Sequence, residues 1–210
     1  MLTIYLTRHG ETIWNTESRM QGQQDSPLTA AGQRQAEVLA AELRAISLDL
    51  AWTSPAPRAL ATAQTILAAQ PRPVPLRLDD RIHEMNLGDW EGLTIADAQA
   101  ADPANLQAFL YAPPNFHPVG GGESFQQVSD RMASFLTDLT AAAITAGRTG
   151  QTLNWLVVTH NITLKALFAL MRERPLAMLR DGPPIPQAAI YRARLDGRWT
   201  IEPPAEIVLK

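Results

Sequence analysis

The sequence contains no cysteine, which removes disulfides, thiolate catalysis and Cys-ligated zinc together. Histidine is scarce: His9, His83, His117 and His160 are the only ones, with no close pair, so no metal and no other cofactor is expected. His83-Glu84 opens like the zinc motif HExxH, but Leu87 stands where the second histidine belongs. Lysine is nearly absent, since 16 of the 18 basic residues are arginine and the exceptions are Lys165 and Lys210. Arginine suits planar, two-pronged capture of carboxylate or phosphate. There is no basic excess either. The formal net charge of −3 argues against a nucleic-acid partner, because backbone binding calls for a basic surface. No run approaches the ~20 apolar residues needed to span a bilayer, and Met1–Thr7 is too short for a secretion signal. The expectation is a cytoplasmic protein with no membrane partner. Phosphate-binding glycine loops are missing as well. Gly10 belongs to no G-x-G-x-x-G, the run GGGES at 120–124 lacks the GK[ST] of a P-loop, and no G-x-S-x-G occurs.

What is present is an ordinary globular composition, 46% hydrophobic and 19% charged over 210 residues. That is enough for one domain, 1–210, with residues 90–125 as an excursion. Short β-rich runs at 2–7, 48–53, 74–78, 154–159 and 188–195 read as strands, with a last hairpin-like piece around Trp199–Ile201. Between them, helical spacing covers 29–46 with Thr29 as N-cap, 57–69 with Pro57 in its first turn, 123–145 and 161–172. Residues 94–110 read as short helices broken at Asp102-Pro103, and 111–122 as an irregular loop, a candidate mobile lid. Strands alternating with helices predict an α/β fold: a three-layer α/β/α sandwich with a mostly parallel central sheet and the excursion capping the active site.

Such sheets bind ligands beyond the carboxyl ends of their strands. Arg8 and His9 follow the first strand, Arg58 the second, Glu84 the third and His160 the central one. Singly, each is most often a plain strand terminus or a solvated loop residue. Together they deliver ionisable groups from four segments to one edge. Arg58 adds a further sign, because a cation in a first helical turn faces the unfavourable end of the dipole unless an anion sits beside it.

At this point TRHGETIWN (7–15) resembles the signature of the histidine phosphatase superfamily, in its phosphoglycerate mutase-like branch. The similarity continues through MQGQQDSPLTAAGQRQAEVLAAEL, TSPAPRALATAQTI, IHEMNLGDWEG, GGESFQQVSDRM and VVTHNITLKAL, in the family's order. The resemblance implies two-step phosphoryl transfer through a phosphohistidine on His9. Arg8, Arg58 and His160 grip the phosphoryl oxygens, and Glu84 is general acid and then general base. Asn15, Gln21 and Gly22 resemble further phosphate-binding positions. Two departures stand out. Asn161 replaces the glycine usual after the second histidine, which narrows the pocket or adds an amide donor. The basic and phenolic residues that follow the acid in cofactor-dependent mutases are replaced by Met85, Asn86 and Leu87. The implied activity is therefore hydrolysis of a small phosphorylated metabolite, with inorganic phosphate as product. A phosphoglycerate mutase or a non-catalytic phosphate-sensing module are the alternatives. Trp90, Phe109, Tyr111 and Phe116 are candidate walls for the rest of the substrate. The oligomeric state stays open, a homodimer included.

Overall fold

A computed structural model describes residues 1–204. Its strands are β1 (Leu2–Arg8), β2 (Leu50–Thr53), β3 (Leu76–Leu78), β4 (Leu153–Thr159), β5 (Ile190–Asp196) and β6 (Arg198–Glu202). Its helices are α1 (Ile13–Thr16), α2 (Ala30–Leu43), α3 (Pro57–Ala68), α4 (Ile95–Ala101), α5 (Pro103–Tyr111), α6 (Phe125–Arg148) and α7 (Asn161–Met171). The strands form one six-stranded sheet in the order β3-β2-β4-β1-β5-β6. β1 through β4 pair in parallel, and β5 and β6 add an antiparallel margin. The fold is thus the expected helix-flanked, mostly parallel sheet.

Alternation along β1 shows why this segment must be central. Leu2, Ile4 and Leu6 enter one core, with Val157, Phe135 of α6 and Leu164 of α7. Tyr5 enters the other, with Leu39 and Leu43 of α2 and Ala63 and Ile66 of α3. A period of two with both faces covered is the pattern of a strand sandwiched between helix layers. Each fully buried Leu or Ile contributes about 1.5–3 kcal/mol relative to exposure, so the two cores fix which strands lie in the middle.

Helix starts follow side-chain chemistry. Thr29 Oγ1 accepts from Gly32 N at 2.9 Å, and Ser124 caps α6 through a reciprocal box with Gln127. Glycine matters at one packing point. A Cβ on Gly32 would stand 2.0 Å from Glu11 O, and one on Gly10 would stand 2.5 Å from Gly32 O. Only two glycines let the segment after β1 lie against the first turn of α2.

Three expectations need correction. The strand foreseen at 188–195 begins at Ile190, because Ala188 adopts φ 51° and its N–H bonds Arg8 O instead of a ladder partner. The segment 111–122, foreseen as an irregular loop, carries ordered structure. It forms a short 3₁₀ turn at Pro113–Asn115, buries Phe116, and is clamped where Asn105 donates to His117 O at 2.8 Å and accepts from His117 N at 2.9 Å. The aromatic wall is mostly core, since Trp90, Phe109, Phe116 and Phe125 pack ring on ring. Only Phe109 of that group reaches the site cavity, and Tyr111 is 71% exposed outside it.

Candidate active site

β1 and β4 run parallel with Arg8 opposite Thr159, so the next residue on each, His9 and His160, emerges at the same height. Their rings lie 5.2 Å apart, edge to face. Both are buried, 2% and 0% exposed. Each is held well below the ordinary histidine range, first by burial. Arg8 and Arg58 add to this at His9, and Arg58, His9, His83 and Arg8 add to it at His160. Two neutral imidazoles beside two guanidiniums result.

Hydrogen bonds hold both rings. His9 Nδ1 lies 2.7 Å from Gly10 O. A carbonyl can only accept, so the proton is on Nδ1 and the Nε2 lone pair is free. His160 Nε2 lies 2.7 Å from Ser54 Oγ. That hydroxyl also accepts from Ala56 N at 3.2 Å, so Ser54 fixes the His160 ring through Nε2. His160 Nδ1 is buried with no protein partner. Ser54 passes for a strand breaker in the sequence.

The guanidiniums are held the same way. Arg58, 1% exposed, donates through Nη1 to Gln24 O (2.8 Å) and Asp25 Oδ1 (3.0 Å), and through Nη2 to Gly22 O (2.7 Å). Arg8 donates through Nη1 to Ile185 O at 2.9 Å. In both, Nε is buried and unpartnered. Each arginine thus leaves the Nε edge of its fork available. Buried polar atoms are rarely left unpaired, and Arg8 Nε, Arg58 Nε and His160 Nδ1 beside His9 describe a place for an oxyanion.

Glu84 is placed by α7. Its carboxylate accepts from Ile162 N and Thr163 N, both at 3.2 Å, and from Met85 N at 3.0 Å. Thr163 Oγ1 donates to His83 O at 2.6 Å and Thr159 Oγ1 to Ile82 O at 2.6 Å, tying the acid loop to β4 and α7. Arg8, His9, Asn15, Gln21, Gly22, Arg58, Glu84 and Asn161 line one cavity of about 180 Å³, with His160 directly behind His9. The catalytic and phosphate-binding candidates from the sequence therefore come together, but not equally free. Asn15 uses Oδ1 to accept from Thr12 N (3.1 Å), which leaves its amide donor available. Gln21 commits one of its two amide hydrogens to Thr12 Oγ1 (2.6 Å) and keeps the other. Asn161 Oδ1 accepts from Ile185 N at 2.8 Å, and the residue lines the cavity.

Several contributors are invisible in the sequence. Glu91 accepts from Gln23 N and Gln24 N, both at 2.8 Å, and so fixes the 20–25 loop. Arg19 and Arg180 also line the cavity. Among the described residues no three acidic or histidine side chains converge as metal ligands, and no helix is long and apolar enough to cross a membrane.

This arrangement of two histidines, two arginines and an acid above a mostly parallel sheet defines a class of phosphoryl-transfer proteins. The family model of the histidine phosphatase superfamily (branch 1) matches residues 4–202, and the chain belongs to that family. It is 34% identical over 175 residues to "Probable phosphoglycerate mutase GpmB" of Salmonella choleraesuis, covering 83% of this chain and 77% of that one. Bacillus stearothermophilus YhfR superposes with a TM-score of 0.83 at 37% identity, over 98% of this chain and 96% of that chain. A mycobacterial glucosyl-3-phosphoglycerate phosphatase, in a complex with VO3, superposes at 0.82 with 30% identity, over 96% of this chain and 97% of that chain.

Proposed function

We propose that the chain is a metal-independent phosphatase that hydrolyses a small phosphomonoester through a phosphohistidine on His9. The observation that carries this is the set of buried, unpartnered nitrogens, Arg8 Nε, Arg58 Nε and His160 Nδ1, around an imidazole whose tautomer frees Nε2. In the first step His9 Nε2 attacks phosphorus and the ester oxygen leaves with the proton of Glu84. Charge gathering on the equatorial oxygens meets the two guanidiniums and the His160 N–H. In the second step water attacks the phosphohistidine and gives its proton to the Glu84 carboxylate, and inorganic phosphate departs. Neutrality matters for His9, because the protonated ring has no lone pair to offer.

Mutase chemistry is the second reading, favoured by the likeness to GpmB. It uses the same histidine but must hold the product for return of the phosphoryl group. Met85, Asn86 and Leu87 supply no charge for that after Glu84. Hydrolysis of an aryl phosphate in excess chelator, with trapping of an acid-labile phosphoenzyme, is the expected result. Absence of turnover from acid to neutral pH would reject the proposal. Exchange of phosphoglycerate isomers that rises with a bisphosphorylated primer would establish the mutase instead.

A further inference from the structure

Charge around the cavity is not exhausted by the phosphoryl group. Of its four arginines, Arg58 is paired with Asp25 at 3.0 Å and Arg19 with Glu17 at 2.7 Å. Arg8 and Arg58 are the cations that act on His9. Arg180 acts on neither histidine. Its charged neighbours are Glu84 and Lys165. It is half-buried, takes part in no ion pair of the described residues, and lies with Cζ 4.7 Å from the centroid of the Phe109 ring. Stacking on that ring holds the guanidinium plane without using its N–H groups.

Its support is also built. Lys165 Nζ, on α7, donates to the consecutive carbonyls of Arg180 (2.9 Å), Asp181 (3.1 Å) and Gly182 (2.9 Å). Arg180 and Asn161 are shared between the catalytic cavity and a neighbouring one of about 400 Å³ that Tyr111, Lys165 and Pro184 also line. Arg180 therefore stands beside the acid that would protonate the leaving alcohol, where the body of a substrate must exit.

We propose that Arg180 is a specificity-determining residue that binds a carboxylate on the alcohol portion of the substrate. This rests on the phosphatase reading of the site. A carboxylate is preferred to a second phosphate because one guanidinium without an ion-pair partner answers one negative charge, which a carboxylate supplies and a phosphate dianion exceeds. The cationic group absent after Glu84 is then supplied from elsewhere, by the turn after α7.

The test is calorimetry on the His9→Ala protein, which cannot turn over, with 3-phosphoglycerate and glycerol 3-phosphate as probes. These differ by a carboxylate in place of a hydroxymethyl group. The carboxylate ligand should bind about tenfold or more tighter. Arg180→Gln should erase the difference and Arg180→Lys should restore part of it. Equal affinities with Arg180 intact, a measurement that needs no variant at that position, would overturn the proposal. So would a preference that survives Arg180→Gln. Failure of the unmodified chain to hydrolyse an aryl phosphate would sink the phosphatase reading and leave this comparison standing.

Discussion

The two ends of the cavity are built differently. At the phosphoryl end, His9 and His160 grow directly from paired parallel strands, are fully buried, and have one ring nitrogen each committed to a fixed partner. At the exit end, Arg180, Asn161, Phe109 and Arg19 arrive from a turn, a helix start, the excursion and a loop. A rigid sheet edge suits a transition state whose geometry does not change from substrate to substrate. Loops and short helices suit the part that varies. The likeness to proteins named for different activities, together with a common fold, fits that division.

The largest expected effect tests the phosphoryl end. His9→Ala should lower kcat by about 10⁴-fold or more and abolish the trapped phosphoenzyme. Residual phosphoenzyme would move the nucleophile elsewhere. Glu84→Gln tests the seam between the two ends. It should cost about 10²–10⁴-fold on alkyl phosphates and much less on aryl phosphates, whose leaving groups need no proton. An equal loss on both would show that Glu84 only orders the first turn of α7. Ser54→Ala should reduce kcat about ten- to a hundredfold with KM little changed, by freeing the His160 ring. Ser54→Thr should recover most of it.

Lys165→Met addresses the exit end alone. Loss of three ammonium–carbonyl bonds should lower the preference for carboxylate-bearing over neutral phosphomonoesters by a few-fold. A matching fall on both substrate types would mean that the turn does not act through Arg180. The smallest effect is on stability. Both site histidines titrate lower in the fold than in the unfolded chain, where the value is about 6.5. Below that value the unfolded chain takes up protons that the folded one refuses, so stability should fall as pH drops from about 6.5 toward the depressed values. A Tm a few degrees lower at pH 5 than at pH 7.5 is expected, and His160→Gln should flatten the slope.

The same division governs what the sequence reveals. β1, β4, α2 and α7 are legible because burial on two faces or one leaves a regular spacing, and the strand-end rule then gathers Arg8, His9, Arg58, Glu84 and His160 without coordinates. Ser54 is hidden because a serine before proline is an ordinary turn signal. Its role exists only where β2 lies beside β4. Glu91 resembles any solvated loop acid until the 20–25 loop folds onto it. Arg180 sits in a proline-rich turn with no periodicity to place it. The clamp on 111–122 is hidden for a similar reason, since proline and glycine content does not show that Asn105 fastens the segment at His117.

α7 has one more consequence. Its first turn cradles Glu84, and Lys165, one turn further along the same face, grips the segment that carries Arg180. A single stiff rod therefore sets the spacing between proton donor and guanidinium. On the proposed mechanism, a substrate in which ester oxygen and remote charge are too near or too far apart would meet a caliper that does not adjust, and chain length would join charge as a criterion of selection.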